Sequence, residues 1–236
     1  MPIHGGELAG KKRRWHIRMK KITCFPLLIM FLLLTLAVPV LASPAVTSVT
    51  ADTAQKMLID GNNRFILENY SKQPIGKVRR AELTKGQVPF AVIVSCSDSR
   101  VPPELIFDQG LGDIFVIRVA GNVLGPIELG SVEYAVEHLG AKLVVVLGHE
   151  QCGAVKATID GGDVPPNIQA IAAKIQPAVT AARDSHAKNI YEATSQANII
   201  NMVAVLKADT ILTHIHGVEI IGAKYKLASG EVEFLQ

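Results

Sequence analysis

The sequence predicts a single α/β domain, a mainly parallel central β-sheet flanked by helices. Two stretches carry that expectation. Residues 91–95 and 143–147 are short apolar runs rich in β-branched side chains, the pattern of strands buried on both faces. Each ends abruptly in chemically capable residues: Cys96, Asp98 and Arg100 after the first, His149 and Cys152 after the second. Open α/β sheets bind ligands beyond the carboxyl ends of their strands, so both groups are expected at one crevice.

Residues 1–42 read as a leader. Lys11, Lys12, Arg13, Arg14, Arg18, Lys20 and Lys21 form a basic region, residues 22–41 are uncharged and mostly apolar, and Val40, Leu41 and Ala42 resemble a small-residue cleavage site. This is the pattern of a secretory signal peptide, and the expected location is periplasmic or extracellular. Cleavage after Ala45 and a start at Met19 are alternatives. An uncleaved anchor competes, because the run is about long enough to span a bilayer, although Pro26 and Pro39 disfavour a long regular helix.

Without the leader, the chain's formal charge changes from +3 to −3, with 17 Lys and Arg against 20 Asp and Glu. The basicity is targeting, and no basic stripe remains for nucleic acid. After cleavage no membrane attachment is expected either. Cys24 leaves with the leader, so Cys96 and Cys152 remain. In an exported chain two cysteines ordinarily suggest a disulfide, and here that reading competes with a shared metal.

Residues 46–236 suit one domain. Thr50 to Glu68 has helical spacing of Ala54, Met57, Leu58 and Phe65, with Asp52 as candidate N-cap and residues 61–63 as a break between two short helices. Lys85 to Pro89 is a turn into the first strand. Pro102 and Pro103 suit the opening of a helix. Residues 113–119 form the next strand and run into Ala120, Gly121 and Asn122. Ser131 to Leu139 is helical, and a helix from Ala154 would direct its N–H groups toward the crevice. Residues 161–166 are a loop. Residues 168–205 form two or three helices, interrupted at Pro177 and at 183–186. The end reads as a strand pair, 213–222 and 223–232, with a turn at Ser229 and Gly230. His214 and His216 would then share one strand face, where a half-buried strand is a simpler account than adventitious metal binding.

Cys96, His149 and Cys152 offer two thiolates and an imidazole, a donor set suited to zinc. Three protein ligands leave a fourth position for water or substrate, which distinguishes a catalytic zinc from a closed structural one. Asp98 and Arg100 can pair bidentately and hold the carboxylate beside the metal; an ordinary surface ion pair is the competing reading.

These two motifs, in this order and at this separation, resemble the plant-type branch of the β-class carbonic anhydrases, in an exported bacterial form. The likeness runs from about Lys56 to the C-terminus. It implies zinc-dependent, reversible hydration of carbon dioxide to bicarbonate and a proton, by attack of zinc-bound hydroxide. Asp98 would accept a hydrogen bond from the zinc-bound water while paired with Arg100, and would become a fourth ligand in a closed form. Gln87 would bind substrate or bicarbonate, and Phe115 and Ala120 would line an apolar substrate pocket. Ala120 stands where relatives often carry a larger aliphatic residue. Tyr134 matches a tyrosine that reaches a neighbouring protomer's site, so a homodimer or higher homo-oligomer is expected; an apolar stripe left exposed on the N-terminal helices would be an oligomer contact, with packing on the same chain as the alternative. Two alternatives remain: hydrolysis of carbon disulfide or carbonyl sulfide on the same site, and a non-catalytic zinc-binding or thiol redox protein.

Overall fold

Five strands hydrogen-bond in the order β2-β1-β3-β4-β5 in the computed structural model, which describes residues 47–235. The leader and its cleavage positions lie outside the described residues. β1 (Ala91–Ser95) and β3 (Leu143–His149) occupy the middle and are buried at every position. β2 (Ile114–Arg118) flanks β1, β4 (Glu219–Tyr225) flanks β3, and all four run parallel. β5 (Val232–Leu235) closes one edge antiparallel to β4. The apolar runs are continuous because helices cover both faces. Each fully buried Val or Ile contributes roughly 1.5–3 kcal/mol relative to exposure.

The remaining elements are α1 (Ala51–Ile66), α2 (Lys77–Leu83), α3 (Pro103–Ile106), a 3₁₀ turn at Ala120–Asn122, α4 (Pro126–Glu137), α5 (Gly153–Asp160), α6 (Pro166–Asp184), α7 (Ile190–Lys207) and α8 (Thr210–His214). Three differ from the sequence expectation. α1 is one helix, capped by Thr50 rather than Asp52, and it passes through residues 61–63 unbroken. Tertiary packing explains this. A Cβ on Gly61 would sit 1.9 Å from the Phe107 carbonyl oxygen, so only glycine lets α1 approach α3. The buried Asn62 donates to the carbonyls of Ile106 (3.1 Å) and Gly230 (2.8 Å) and accepts from the Val232 N–H (2.9 Å). Those bonds offset glycine's helical cost of about 1 kcal/mol.

α6 continues through Pro177. The proline removes one internal hydrogen bond, but Ile175, Ala178, Val179 and Ala182 are buried around it, and burial decides helix formation more than propensity does. At the C-terminal end, residues 210–214 are helical rather than extended, because Asp209 caps the N–H groups of Ile211 (2.9 Å) and Leu212 (3.1 Å). His214 therefore ends α8 and His216 precedes β4; they do not share a strand face.

Asp108, 5% exposed, joins α1 to the loop after α3. Burial pushes its carboxyl pKa up, but the Ser71 hydroxyl (2.6 Å), the Arg64 guanidinium (2.6 Å) and the Ser71 N–H (3.0 Å) outweigh burial and hold it at about 2. A folded-state pKa below the unfolded value gives stability that is present above about pH 4 and lost as pH falls toward 2. Urea unfolding across that window is expected to show about 2 kcal/mol of acid-dependent loss that Asp108→Asn lacks. An unchanged acid slope in the variant would refute this role. No helix among the described residues is long and apolar enough to cross a membrane.

Candidate active site

The sheet register decides what meets at the strand ends. Ser95 pairs with Leu147 on one side and with Arg118 on the other, so Cys96 and His149 leave the sheet at neighbouring points. The chain then turns at Glu150 and Gln151, where Gln151 adopts a left-handed φ of 51°, and Cys152 returns as the N-cap of α5. The ligand atoms of Cys96, His149 and Cys152 all lie within 4.8 Å of one another, and all three residues are buried.

This donor set fits zinc on three counts. The sulfurs are 4.0 Å apart, well beyond the roughly 2.05 Å of a disulfide, and both cysteines are free. His149 Nδ1 lies 2.8 Å from the Glu150 carbonyl oxygen. A carbonyl only accepts, so Nδ1 carries a proton, which leaves Nε2 as the nitrogen able to ligate a metal. That Nε2 is buried without a hydrogen-bond partner, an expensive arrangement that a metal resolves. The thiols supply the third count. The Cys152 thiol, with help from the Gly121 N–H, holds the Cys96 pKa far below the ordinary thiol value, while that pairing and burial push Cys152 up. Two adjacent buried thiolates repel; a bound cation lets both ionise, so metal uptake releases protons.

Asp98 sits beside this cluster, with Oδ2 4.0 Å from His149 Nε2. Arg100 holds it by three bonds: Nε to Oδ1 (2.9 Å), Nη2 to Oδ2 (2.7 Å) and the backbone N–H to Oδ1 (2.9 Å). This pairing, the Arg100 side chain above all, holds the Asp98 pKa well below the usual carboxylate range despite partial burial. Arg100 Nη2 also donates to the Gln151 carbonyl (3.2 Å), which ties the first ligand loop to the second.

Arg118 is a residue whose role was not legible in the sequence. From the end of β2 its Nε donates to the Cys96 carbonyl (3.0 Å) and its Nη2 to the Asp98 carbonyl (2.6 Å), clamping the whole Cys96–Asp98 segment. Its only sequence signal was an arginine at the end of a strand, and that signal has meaning only once β2 is known to lie beside β1. Gly121 contributes through its N–H, 3.3 Å from Cys96 Sγ.

The other expected pocket residues separate into two places. Ala120 borders a cavity of about 490 Å³ next to the ligand loops, with Gly153, Ala154, Ala157 and Gln176 among its walls. Gln87, Phe115 and Tyr134 are not among those walls. Phe115 is in register with Val92, three positions before Ser95, and packs on Tyr134 at 6.4 Å between ring centroids. Tyr134 is 48% exposed, and Gln87 lies exposed in the loop before β1.

The carbonic anhydrase family model matches residues 91–232, from β1 to β5. The carbonic anhydrase of Mycolicibacterium smegmatis is 43% identical over 188 residues, covering 76% of this chain and 91% of that protein. Carbonic anhydrase 2 of Mycobacterium tuberculosis is 40% identical over 185 residues, covering 75% and 89%. The solved β-carbonic anhydrase CafA of Aspergillus fumigatus superposes with a TM-score of 0.60 at 28% identity, over 66% of this chain and 80% of that one. A likeness that runs through both ligand loops and most of the described residues leaves one conclusion: the chain belongs to the carbonic anhydrase family, in its β class.

Proposed function

We propose that this protein hydrates carbon dioxide reversibly to bicarbonate and a proton, with zinc held by Cys96, His149 and Cys152. The observation that carries this reading is the three-donor cluster with an arginine-locked carboxylate beside it. Bound there, zinc supplies a water acidic enough to act as a nucleophile near neutral pH. The chain's own residues do the rest. Ionised Asp98 can only accept hydrogen bonds, so it would accept one from a water held at the donor cluster and orient that water toward the substrate. Arg100 holds both carboxylate oxygens in place and would keep them from serving as a fourth ligand. The apolar wall at Ala120 receives the uncharged substrate. Stopped-flow hydration assays on the zinc-loaded chain, prepared under reducing conditions, test this reading. Activity at neutral pH is expected; one zinc per chain with no hydration above background would overturn it.

We propose further that the active site is completed across a homo-oligomer interface. Gln87, Phe115 and Tyr134 would serve the neighbouring protomer. Ile66, Leu67, Tyr70, Ile75 and Val78 lie exposed in and around α1 and α2, an apolar surface that suits association. Sedimentation should give a dimer or larger species. Tyr134→Ala is expected to lower kcat/KM about tenfold or more with zinc content unchanged, and a fully active monomer would exclude this arrangement.

The basic and apolar leader supports export, so the reaction would run outside the cytoplasm. N-terminal sequencing of the extracytoplasmic protein should begin at Ser43 or Val46; an intact leader on cytoplasmic protein would refute it.

A further inference from the structure

α7 reaches the metal-ligand set through two side chains that the reaction itself does not use. Ser195 and Asn198 lie one turn apart on its buried face, 5% and 1% exposed. Ser195 Oγ donates to the His149 carbonyl at 3.0 Å, and Asn198 Nδ2 donates to the Gly121 carbonyl at 2.8 Å. One of those carbonyls belongs to a metal ligand. The other belongs to the residue whose N–H faces the Cys96 sulfur.

We propose that Ser195 and Asn198 are positioning residues that set the affinity and geometry of the zinc site by locking the peptides of His149 and Gly121. This rests on the reading of Cys96, His149 and Cys152 as the zinc ligands.

Gly121 has φ 71° and ψ 16°, a left-handed conformation that glycine adopts freely and holds weakly. A Cβ there would come within 2.8 Å of Ile175 Cδ1 and 3.2 Å of the Ala154 Cβ. The site therefore requires the most mobile residue type at the position whose N–H must aim at a sulfur. Asn198 supplies from outside the restraint that glycine lacks, by fixing its carbonyl. At His149, the imidazole is held by the Glu150 carbonyl, and the Glu150 N–H donates to the Tyr225 carbonyl at 3.1 Å. Ser195 completes that grip on the main chain.

α7 is itself tightly seated. Ile199, next to Asn198, fills the space over Gly148 and Gly222, where a Cβ would come within 2.6 and 2.7 Å of it. One rigid element thus references both halves of the ligand set, and groups that orient metal ligands in this way govern affinity.

The test compares Ser195→Ala, Asn198→Ala, Ser195→Thr and Leu143→Val. Zinc dissociation constants come from competition with a chromophoric chelator, and ligand geometry from the thiolate-to-cobalt absorption of the cobalt-substituted chain. Both alanine variants are expected to weaken zinc binding about tenfold to a hundredfold and to shift the cobalt band. Ser195→Thr retains the hydroxyl donor and should stay near the parent values. Leu143→Val, a buried change at the start of β3 and six residues before His149, should lower the melting temperature of the metal-free chain yet leave zinc affinity within about twofold. Alanine variants with the parent affinity and spectrum would overturn the proposal, as would a Leu143→Val loss of affinity equal to theirs. If Asn198→Ala does not fold, Ser195→Ala decides alone. A parent chain that binds no zinc would remove the metal-site reading itself; a parent with one zinc and matching alanine variants would remove only this inference.

Discussion

Replacing Cys152 with alanine is expected to release zinc and lower kcat/KM at least about a thousandfold, roughly 4 kcal/mol of lost transition-state stabilisation. Two physical reasons make the effect this large. The remaining thiolate and imidazole are too few to hold the ion against solvent and chelators, since structural and catalytic zinc sites use at least three protein ligands. The free N–H groups of Ala154 and Val155 at the start of α5, which favour the ionised Cys152 sulfur, are also left without their partner. The fold should survive, because β1 and the six residues of β3 before His149 are buried without contribution from the cluster. Metal content by atomic absorption, circular dichroism and the hydration rate together check the outcome. A variant that keeps one zinc and its activity would show that Cys152 is not a ligand.

Asp98→Ala is expected to keep zinc and lose activity about a hundredfold to a thousandfold, in kcat rather than KM, the size of effect seen when one positioned acid–base or electrostatic group is removed. Arg100→Ala should fall in the same direction, because Arg100 provides the two side-chain bonds that orient the carboxylate. The double variant should be little worse than Asp98→Ala, since the two residues act as one unit and their effects are not additive. Arg100 is half exposed, so this coupling reflects orientation rather than the strength of a surface ion pair, which by itself is worth about 1 kcal/mol or less. An Asp98→Ala protein with zinc and full activity at neutral pH would remove Asp98 from the mechanism.

The two halves of the site were legible in the sequence to different degrees. Cys96, Asp98, Arg100, His149 and Cys152 stand immediately after two apolar strands, and local chemistry identifies them. Arg118, Ser195 and Asn198 act only through hydrogen bonds to main-chain carbonyls of residues 20 or more positions away, so no spacing rule exposes them. The same asymmetry explains the misread elements. Residues 61–63 look like a helix break because glycine and asparagine have poor helix propensity, and the Phe107 carbonyl that makes them fit is not a sequence neighbour. Pro177 looks like a stop because its missing N–H is a local property, whereas the burial of α6 around it is not.

The sequence by itself determined the buried parallel strands, the zinc-capable donors at their ends and the family, because each of these is written in runs of a few adjacent residues. The tertiary structure alone decided which residues hold those donors in place. It aligned Ser95 with Leu147 and Arg118, set the sulfurs 4.0 Å apart, left His149 Nε2 as the nitrogen able to ligate a metal, and put α7 behind both ligand loops. Register and helix docking bring together groups distant along the chain, and the geometry of a metal site depends on those distances.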